Sequence, residues 1–403
     1  MPTSTRLKLS TLMFLQYFVW GAWYVTMGTW LGERLRFSGE QIGLAAGTTA
    51  LAAMISPFFV GMIADRFLAT EKILAALHLL GGLVLFYASL QTRFGPFYGV
   101  ILVYALCYMP TLALSNSISF HQMDDPGREF PPIRVLGTIG WIVAGLIIGT
   151  LRIEATERPM QIAAAGSIVL GLFCFALPHT PPQRKARPTL GDVLGVDALK
   201  LMREPSFAVF VVGSFLVCIP LQFYYAFTNL FLNEVGVVNA AGKMTGGQMS
   251  EILCMLLIPW FFRRLGVKYM LAVDMLAWVL RYAMFAFGAP GELMWMLWLG
   301  IVLHGICFDF FFVVGQIYID REAPTALRAA TQGLITFLTY GLGMFVGSWL
   351  SGVVVDAYAT PGAHDWRSIW LIAGGCAFAV LVLFVLAFKD RRSAVGQPAA
   401  VTH

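Results

Sequence analysis

Long apolar runs alternate with short polar connections along the whole chain. Each run is close to the roughly 20 residues that an α-helix needs to cross the hydrocarbon core of a bilayer. The pattern predicts twelve membrane-spanning helices, over residues 9–31, 41–64, 71–91, 97–120, 132–151, 160–178, 207–232, 244–262, 267–287, 293–318, 327–355 and 367–388. The first run is too long for a cleavable signal peptide and is expected to remain as a span. We therefore predict an all-α integral membrane protein.

The longest polar stretch divides the predicted spans into two sets of six. The expected organisation is an N-terminal six-helix half over residues 1–178, a cytoplasmic linker over 179–205, a C-terminal six-helix half over 206–390 and a tail over 391–403. Residues 190–201 are weakly amphipathic, and we expect them on the membrane surface. Basic connections also repeat, since Arg66 follows the second span and Arg263 and Arg264 follow the eighth. This arrangement is typical of transporters built from parallel repeats.

Composition and charge exclude the soluble and nucleic-acid-binding classes. Charged residues make up 12% of the chain, about half of the roughly 25% usual in soluble domains. If both termini face the cytoplasm, the opposite side holds few basic residues, namely Arg34, Arg36, Arg93, Arg152, Arg158, Lys243 and Arg367. The other connections are richer in Lys and Arg, which predicts cytoplasmic termini. The six cysteines lie inside apolar runs without metal-ligand spacing, so we expect neither a metal nor another cofactor.

Three ionisable side chains interrupt the apolar runs. Asp309 lies within the tenth span, Glu251 within the eighth, and Arg134 near the start of the fifth. A charged side chain at the bilayer centre costs about 2.5–3.5 kcal/mol on insertion scales, so it seldom persists without a partner or a task. These groups indicate a substrate or proton pathway. Asp274 and Arg281, two turns apart in the ninth span, instead indicate structural charge compensation.

Polar and aromatic residues share helix faces with these groups, because residues three, four or seven apart lie on one face. The sets are Gln16, Trp20 and Trp23 in span 1; Arg134, Thr138 and Trp141 in span 5; Gln222, Tyr225 and Asn229 in span 7; Gln248 and Glu251 in span 8; and His304, Phe308, Asp309, Phe312 and Gln316 in span 10. Structural roles remain open for several of them. Arg134 can anchor its helix at the headgroups, the glutamines can join helices, and His304 can be a satisfied buried histidine.

Four strings of residues, in this order along the chain, resemble one family. They are residues 15–23, 108–112, 130–140 and 308–311. Gly61, Asp65 and Arg66 also resemble the signature loop of the major facilitator superfamily, although its usual Gly-Arg-Lys continuation is absent. Together the strings closely resemble the bacterial nucleoside:proton symporter family of that superfamily, in which Phe-Pro-Pro-Ile-Arg and Phe-Asp-Phe-Phe are distinctive. The resemblance implies the major facilitator fold and proton-driven nucleoside uptake across the inner membrane, and it implies that the chain is not an enzyme.

The resemblance also implies the site. Substrate contacts are expected at Arg134, Thr138, Trp141, Gln222, Tyr225, Gln248, Glu251, His304, Phe308 and Asp309. Asp309 or Glu251 is expected to take up a proton from outside, after which the substrate binds and the two halves rock. A nucleoside suits such a set, because its base offers flat faces for stacking and its hydroxyls suit amides and carboxylates. Trp141, Tyr225 and His304 replace the family's usual Phe, Asn and Tyr, and the last two changes favour purines or a narrowed range.

Other functions remain open at this level. A sugar or glycoside symporter of the same fold can use the same amides and carboxylates. A membrane receptor or enzyme is a different class, which the lack of an appended soluble domain, clustered metal ligands and a nucleophile elbow disfavours. The expected partners are a nucleoside, a proton and membrane lipid, without nucleic acid, and a monomer is expected.

Overall fold

The computed structural model describes residues 1–64, 68–181, 196–324 and 327–389. Twelve helical segments run through these ranges, numbered here in chain order. They are α1 Thr3–Trp23, α2 Gly39–Ala64, α3 Thr70–Ser89, α4 Phe94–His121, α5 Pro126–Leu151, α6 Arg158–Cys174, α7 Pro205–Glu234, α8 240–265, α9 267–287, α10 Met294–Glu322, α11 Ala330–Ala357 and α12 Trp366–Ala387. The prediction of an all-α membrane protein with two six-helix halves is confirmed.

The segments α8 and α9 are two helices that follow each other directly within Ala240–Phe287, separated by the non-helical residue Gly266. A straight helix of these 48 residues would be about 72 Å long, more than twice the roughly 30 Å of a hydrocarbon core. Gly266 has φ 65° and ψ 179°, a conformation that glycine adopts without the steric penalty of a β-carbon. The chain therefore turns back here without a loop. Eight helices of the described ranges have the length and apolar composition of a membrane span, with Ala240–Phe287 counted once.

Three segments depart from regular α-helical geometry. The short helix Met27–Thr29 and the π-helical turn Trp30–Arg34 follow α1. The helix α10 is interrupted at Leu303, between Met294–Val302 and His304–Glu322. A π-helical stretch, Phe337–Gly343, lies within α11. A hairpin of two-residue strands, Ala359–Thr360 and Ala363–His364, connects α11 to α12.

Several predicted features lie outside the described residues. These are Asp65 and Arg66 of the loop after α2, residues 182–195 of the predicted linker, and the tail. The predicted amphipathic segment 190–201 is therefore described only in part. Its described part belongs to a short 3-10 helix, Val196–Arg203, with Lys200 and Arg203 in its last turn.

The two halves touch on the side of the bundle opposite the start of α1 and the end of α12, which we call the distal side; the other is the terminal side. There α2 crosses α11 and α5 crosses α8. A Cβ on Gly43 would lie only 2.1 Å from the Ser348 carbonyl oxygen, and one on Gly149 only 2.0 Å from Asn239 Oδ1. Small residues at helix crossings allow such close approach in membranes. The distal side is therefore closed by direct contact between backbones.

Gly43→Ala should force α2 away from α11 and lower the melting temperature of the purified protein, because overpacking costs about 1–3 kcal/mol. The matched control is Gly99→Ala in α4, where an added Cβ meets nothing within 4 Å. Alanine is the better helix former, so the control should keep or raise the melting temperature. Equal melting temperatures for the two variants would contradict the close crossing.

Candidate functional site

A cavity of about 660 Å³ lies between the two halves. His121, Thr180 and Pro181 are part of its lining. His121 is the last residue of α4, and Thr180 and Pro181 follow α6. Both helices end on the terminal side, so the cavity extends towards that side of the bundle. Its volume falls within the roughly 300–1,000 Å³ of small-molecule sites. The structure thus holds a ligand-sized space that is closed distally and reached from the terminal side.

Aromatic rings from both halves form a continuous wall of this cavity. Trp20 of α1 meets Trp141 of α5 edge to face, with 5.5 Å between ring centroids, and lies 5.8 Å from Tyr24. Tyr24 lies 6.1 Å from Tyr225 of α7, which in turn meets His304 of α10 at 5.9 Å. The chain of ring contacts continues through Phe308 and then, by way of Phe312 behind the lining, to Tyr340. Such a wall suits a ligand with a flat aromatic part.

Nine of the ten residues predicted to contact the substrate line this cavity. They are Arg134, Thr138, Trp141, Gln222, Tyr225, Gln248, Glu251, His304 and Phe308. Four helices from two halves bring them together, although the residues are spread over more than 170 positions of the chain (308 − 134 = 174). Their convergence is a structural finding. Their contact with a substrate remains a prediction.

Charged and amide groups face the cavity from opposite halves. The guanidinium of Arg134 lies 4.1 Å above the ring of Tyr17 in the N-terminal half. Glu251 in the C-terminal half is within electrostatic range of Arg134. Gln222 is fixed by Ser348, whose hydroxyl donates to Gln222 Oε1 at 3.0 Å. A polar ligand can therefore meet a cation on one side of the cavity and a carboxylate on the other.

The tenth predicted contact, Asp309, does not line the cavity. It is fully buried, and neither carboxylate oxygen has a hydrogen-bond partner among the described residues. One turn earlier, Gly305 packs directly on the backbone of Ser250 and Glu251 of α8. Asp309 thus lies behind the cavity wall formed by Phe308, within electrostatic range of Glu251. Its proximity to Glu251 keeps it beside the site, and its contact with a substrate remains a prediction.

Only one of the three residues assigned to the polar face of α1 lines the cavity. That residue is Trp20. Gln16 is fully buried within the N-terminal half, where its Nε2 donates to Thr111 Oγ1 at 2.7 Å and its Oε1 lies 2.9 Å from His78 Nε2. Trp23 packs edge to face on Tyr104 at 5.4 Å. A shared helix face therefore does not place Gln16 and Trp23 at the cavity, because side chains on that face can also find partners inside one half.

Several lining residues were not anticipated. Tyr17 and Tyr24 lie three positions before and four after Trp20, so helical spacing around Trp20 alone would have found them. Tyr340 had no such signal, because it lies in the π-helical stretch Phe337–Gly343, where the α-helical period does not hold. Within the described ranges, no group of three or more His, Cys, Asp or Glu side chains is placed to hold a metal ion.

Glu154 closes the distal side above the cavity. It lies in the connection between α5 and α6 and is only 4% exposed. Its Oε2 accepts hydrogen bonds from the side-chain amides of Asn229 at 2.9 Å and Asn233 at 2.8 Å, and its Oε1 accepts one from the backbone N–H of Ala241 at 3.1 Å. Thr29 of the N-terminal half donates to Asn229 Oδ1 at 2.6 Å. One carboxylate therefore joins the N-terminal half to two helices of the C-terminal half.

Glu154→Gln should weaken this closure. Both oxygens of Glu154 accept hydrogen bonds from N–H groups. The glutamine side chain has one oxygen and one NH₂ group, so its NH₂ group would face one of these N–H donors. Hydrogen bonds to a charged group contribute about 1.5–3 kcal/mol, so a distally open population should grow about tenfold or more. Spin labels at positions 152 and 238, in a background without native cysteines, report the separation of the halves.

The matched control for that measurement is Glu157→Gln in the same connection, which removes the same charge. A longer label-to-label distance is expected for the Glu154 variant and not for the Glu157 variant. Identical distance distributions in the two variants would show that Glu154 does not hold the halves together.

The sequence and the fold both match known transporters over nearly their full length. A family model described as "Nucleoside H+ symporter" matches residues 3–393. A putative nucleoside transporter, YegT of Escherichia coli K12, is 42% identical over 401 residues, covering 96% of this chain and 94% of the relative. The xanthosine permease of the same organism is 36% identical over 402 residues, covering 96% of each chain. The crystal structure of the nucleoside transporter NupG superposes with a TM-score of 0.89 at 34% identity, covering 96% of this chain and 100% of that one.

Proposed function

This chain belongs to the nucleoside H+ symporter family, and we propose that it carries a nucleoside together with a proton through the cavity between its two halves. The observation that supports this proposal most strongly is the cavity itself. A continuous aromatic wall, a cation and a carboxylate converge there from both halves. A nucleoside combines a flat base with hydroxyl groups, so it uses both kinds of surface.

The proposed pose follows from this distribution of groups. The base stacks among Trp20, Tyr225 and Phe308, since base–aromatic stacking contributes about 1–3 kcal/mol per base. Gln222 and Gln248 offer donors and acceptors to the polar edge of the base. Glu251 accepts hydrogen bonds from the ribose hydroxyls, and Arg134, Thr138, Trp141 and His304 complete the contacts.

Proton coupling is assigned to Glu251 and Asp309 together. Glu251 faces the cavity, while Asp309 lies behind the wall within electrostatic range of it. A charged carboxylate buried without a partner is costly, so a proton arriving at one of the two groups changes the energetic balance at the other. Protonation thereby favours one conformation of the site over another.

The closed distal side supports transport by alternating access. In the described conformation the cavity is open towards the terminal side, and the crossings of α2 with α11 and of α5 with α8 are closed. We assign the terminal side to the cytoplasm of a bacterial inner membrane, because the basic connections lie on it. We further propose that the protein acts as a monomer in lipid, in which the halves 1–178 and 206–390, with a linker over 179–205 and a tail over 391–403, rock against each other.

Counterflow in reconstituted vesicles tests the substrate class. Vesicles loaded with unlabelled uridine are expected to accumulate labelled uridine, and external adenosine should compete. Lactose should not compete, because it lacks a base that can stack on the aromatic wall. Competition by lactose equal to that of adenosine would favour a sugar transporter instead.

Asp309→Asn is expected to abolish accumulation of uridine against a gradient, because the amide keeps the shape of the side chain and cannot carry a proton. Uridine counterflow, which needs no net proton movement, should persist. The matched control is Asp320→Asn on the same helix, where an exposed ion pair with Arg328 at 3.0 Å contributes little. Normal proton-driven accumulation by the Asp309 variant would exclude this carboxylate from coupling.

Glu251→Ala should weaken uridine binding about ten- to a hundredfold, since a hydrogen bond to a charged group contributes about 1.5–3 kcal/mol. Calorimetry on the purified protein measures the affinity, and the melting temperature controls for folding. Glu292→Ala, in the exposed connection before α10, should leave the affinity unchanged. Unchanged affinity in the Glu251 variant as well would rule out direct contact.

A further inference from the structure

At the interruption of α10, directly beside the cavity, some backbone groups lack the partners that a regular α-helix would give them. The break at Leu303 separates Met294–Val302 from His304–Glu322. Inside a membrane such free N–H and C=O groups need partners within the protein. The N–H of Gly305 donates to Ser250 Oγ of α8 at 2.9 Å. The first cavity residue after the break is His304, so whatever holds the break also sets the position of that ring.

Arg281 of α9 satisfies the carbonyl groups on the other side of the break. Its Nε donates to the carbonyl oxygen of Gly300 at 2.8 Å, and its Nη2 donates to that of Ile301 at 3.3 Å. The side chain is fully buried, and Asp274, also buried, lies within electrostatic range of it. The planar fork of a guanidinium can serve two neighbouring acceptors at once, which a lysine ammonium does with less geometric definition.

The same guanidinium supports the ring of His304 through a stack. Its Cζ lies 3.9 Å from the ring centre of Tyr224. Tyr224 in turn stacks on His304, with 5.0 Å between ring centroids and 24° between ring planes. Arg281 and Tyr224 do not belong to the lining of the cavity, whereas His304 does. The cation therefore acts on the cavity wall from behind, both through the main chain of α10 and through a tyrosine ring.

We propose that Arg281 is a positioning residue for substrate recognition, which holds the break in α10 and the His304–Tyr224 stack in the geometry that receives the base. This inference rests on the proposed nucleoside-binding function of the cavity. It assigns Arg281 a task in substrate recognition in addition to the structural charge compensation expected from its spacing to Asp274. Substitution should therefore weaken binding by way of His304 and not by loosening the whole bundle.

A double-mutant cycle tests this route. The variants are Arg281→Lys, His304→Ala and the combination, with uridine and adenosine affinities measured by calorimetry on the purified protein. Arg281→Lys keeps the charge and should weaken binding of both nucleosides about tenfold, as expected for lost charged hydrogen bonds. In the His304→Ala background, Arg281→Lys should lower the affinities less than about twofold, because the effects of substitutions at interacting residues do not add.

The control is Arg367→Lys, since Arg367 also lies over an aromatic ring, that of Phe287 at 4.9 Å, and is exposed outside the cavity. It should leave both affinities unchanged. Equal losses for Arg281→Lys in the two backgrounds, or no loss in either, would overturn the proposal. If Arg281→Lys does not fold, Tyr224→Leu removes the ring between guanidinium and imidazole and must show the same dependence on His304.

The failure of this inference is distinguishable from a failure of the proposed function. If the unmodified protein binds neither uridine nor adenosine, the nucleoside function is wrong and the role of Arg281 in base recognition falls with it. If the unmodified protein binds both and the cycle shows additive losses, the function stands and only the positioning role is rejected.

Discussion

Polar groups inside a bilayer must find partners within the protein, because lipid offers no hydrogen bonds, and this constraint shapes the whole structure. The closed distal side shows it most directly, where the two oxygens of Glu154 take up donors from α7 and the start of α8. The break in α10 shows it again, since Arg281 and Ser250 bond the groups that the break leaves free. In each case a side chain from another element or connection of the fold serves as the missing partner.

Asp309 does not obey this constraint, and it lies beside the cavity. It is fully buried, and neither of its oxygens has a hydrogen-bond partner among the described residues. Glu251 faces the cavity nearby. The carboxylate of Asp274 also lacks such partners, and its charge is compensated by Arg281, so a missing donor alone does not mark a functional site. The position of Asp309 beside Glu251 is what supports the proposal that it exchanges a proton when the surrounding helices move.

Much of the fold was predictable because apolar runs of membrane length are a strong signal, whereas the direct bend at Gly266 between α8 and α9 was not predicted. The cavity faces of α5, α7, α8 and α10 followed from helical spacing around Arg134, Gln222, Glu251 and His304. Spacing along one helix does not show which neighbour a face meets, so the spacing of Gln16 and Trp20 did not show that the partners of Gln16, Thr111 and His78, lie within one half. For the same reason the spacing in α10 did not show that Asp309 lies one helix position behind Phe308, outside the lining of the cavity. The sequence did not indicate the partners of Glu154 because they lie 75 or more positions away along the chain. It did not indicate those of Arg281 because they are backbone carbonyls that only the break in α10 exposes.

Proton movement driven by the substrate is the most direct measurement of coupled nucleoside transport. Lightly buffered proteoliposomes without an imposed gradient receive external uridine, and a pH electrode records the medium. Entry of uridine with a proton predicts alkalinisation of the medium that a proton ionophore abolishes and that Asp309→Asn vesicles lack. Entry of labelled uridine without any alkalinisation would contradict proton symport.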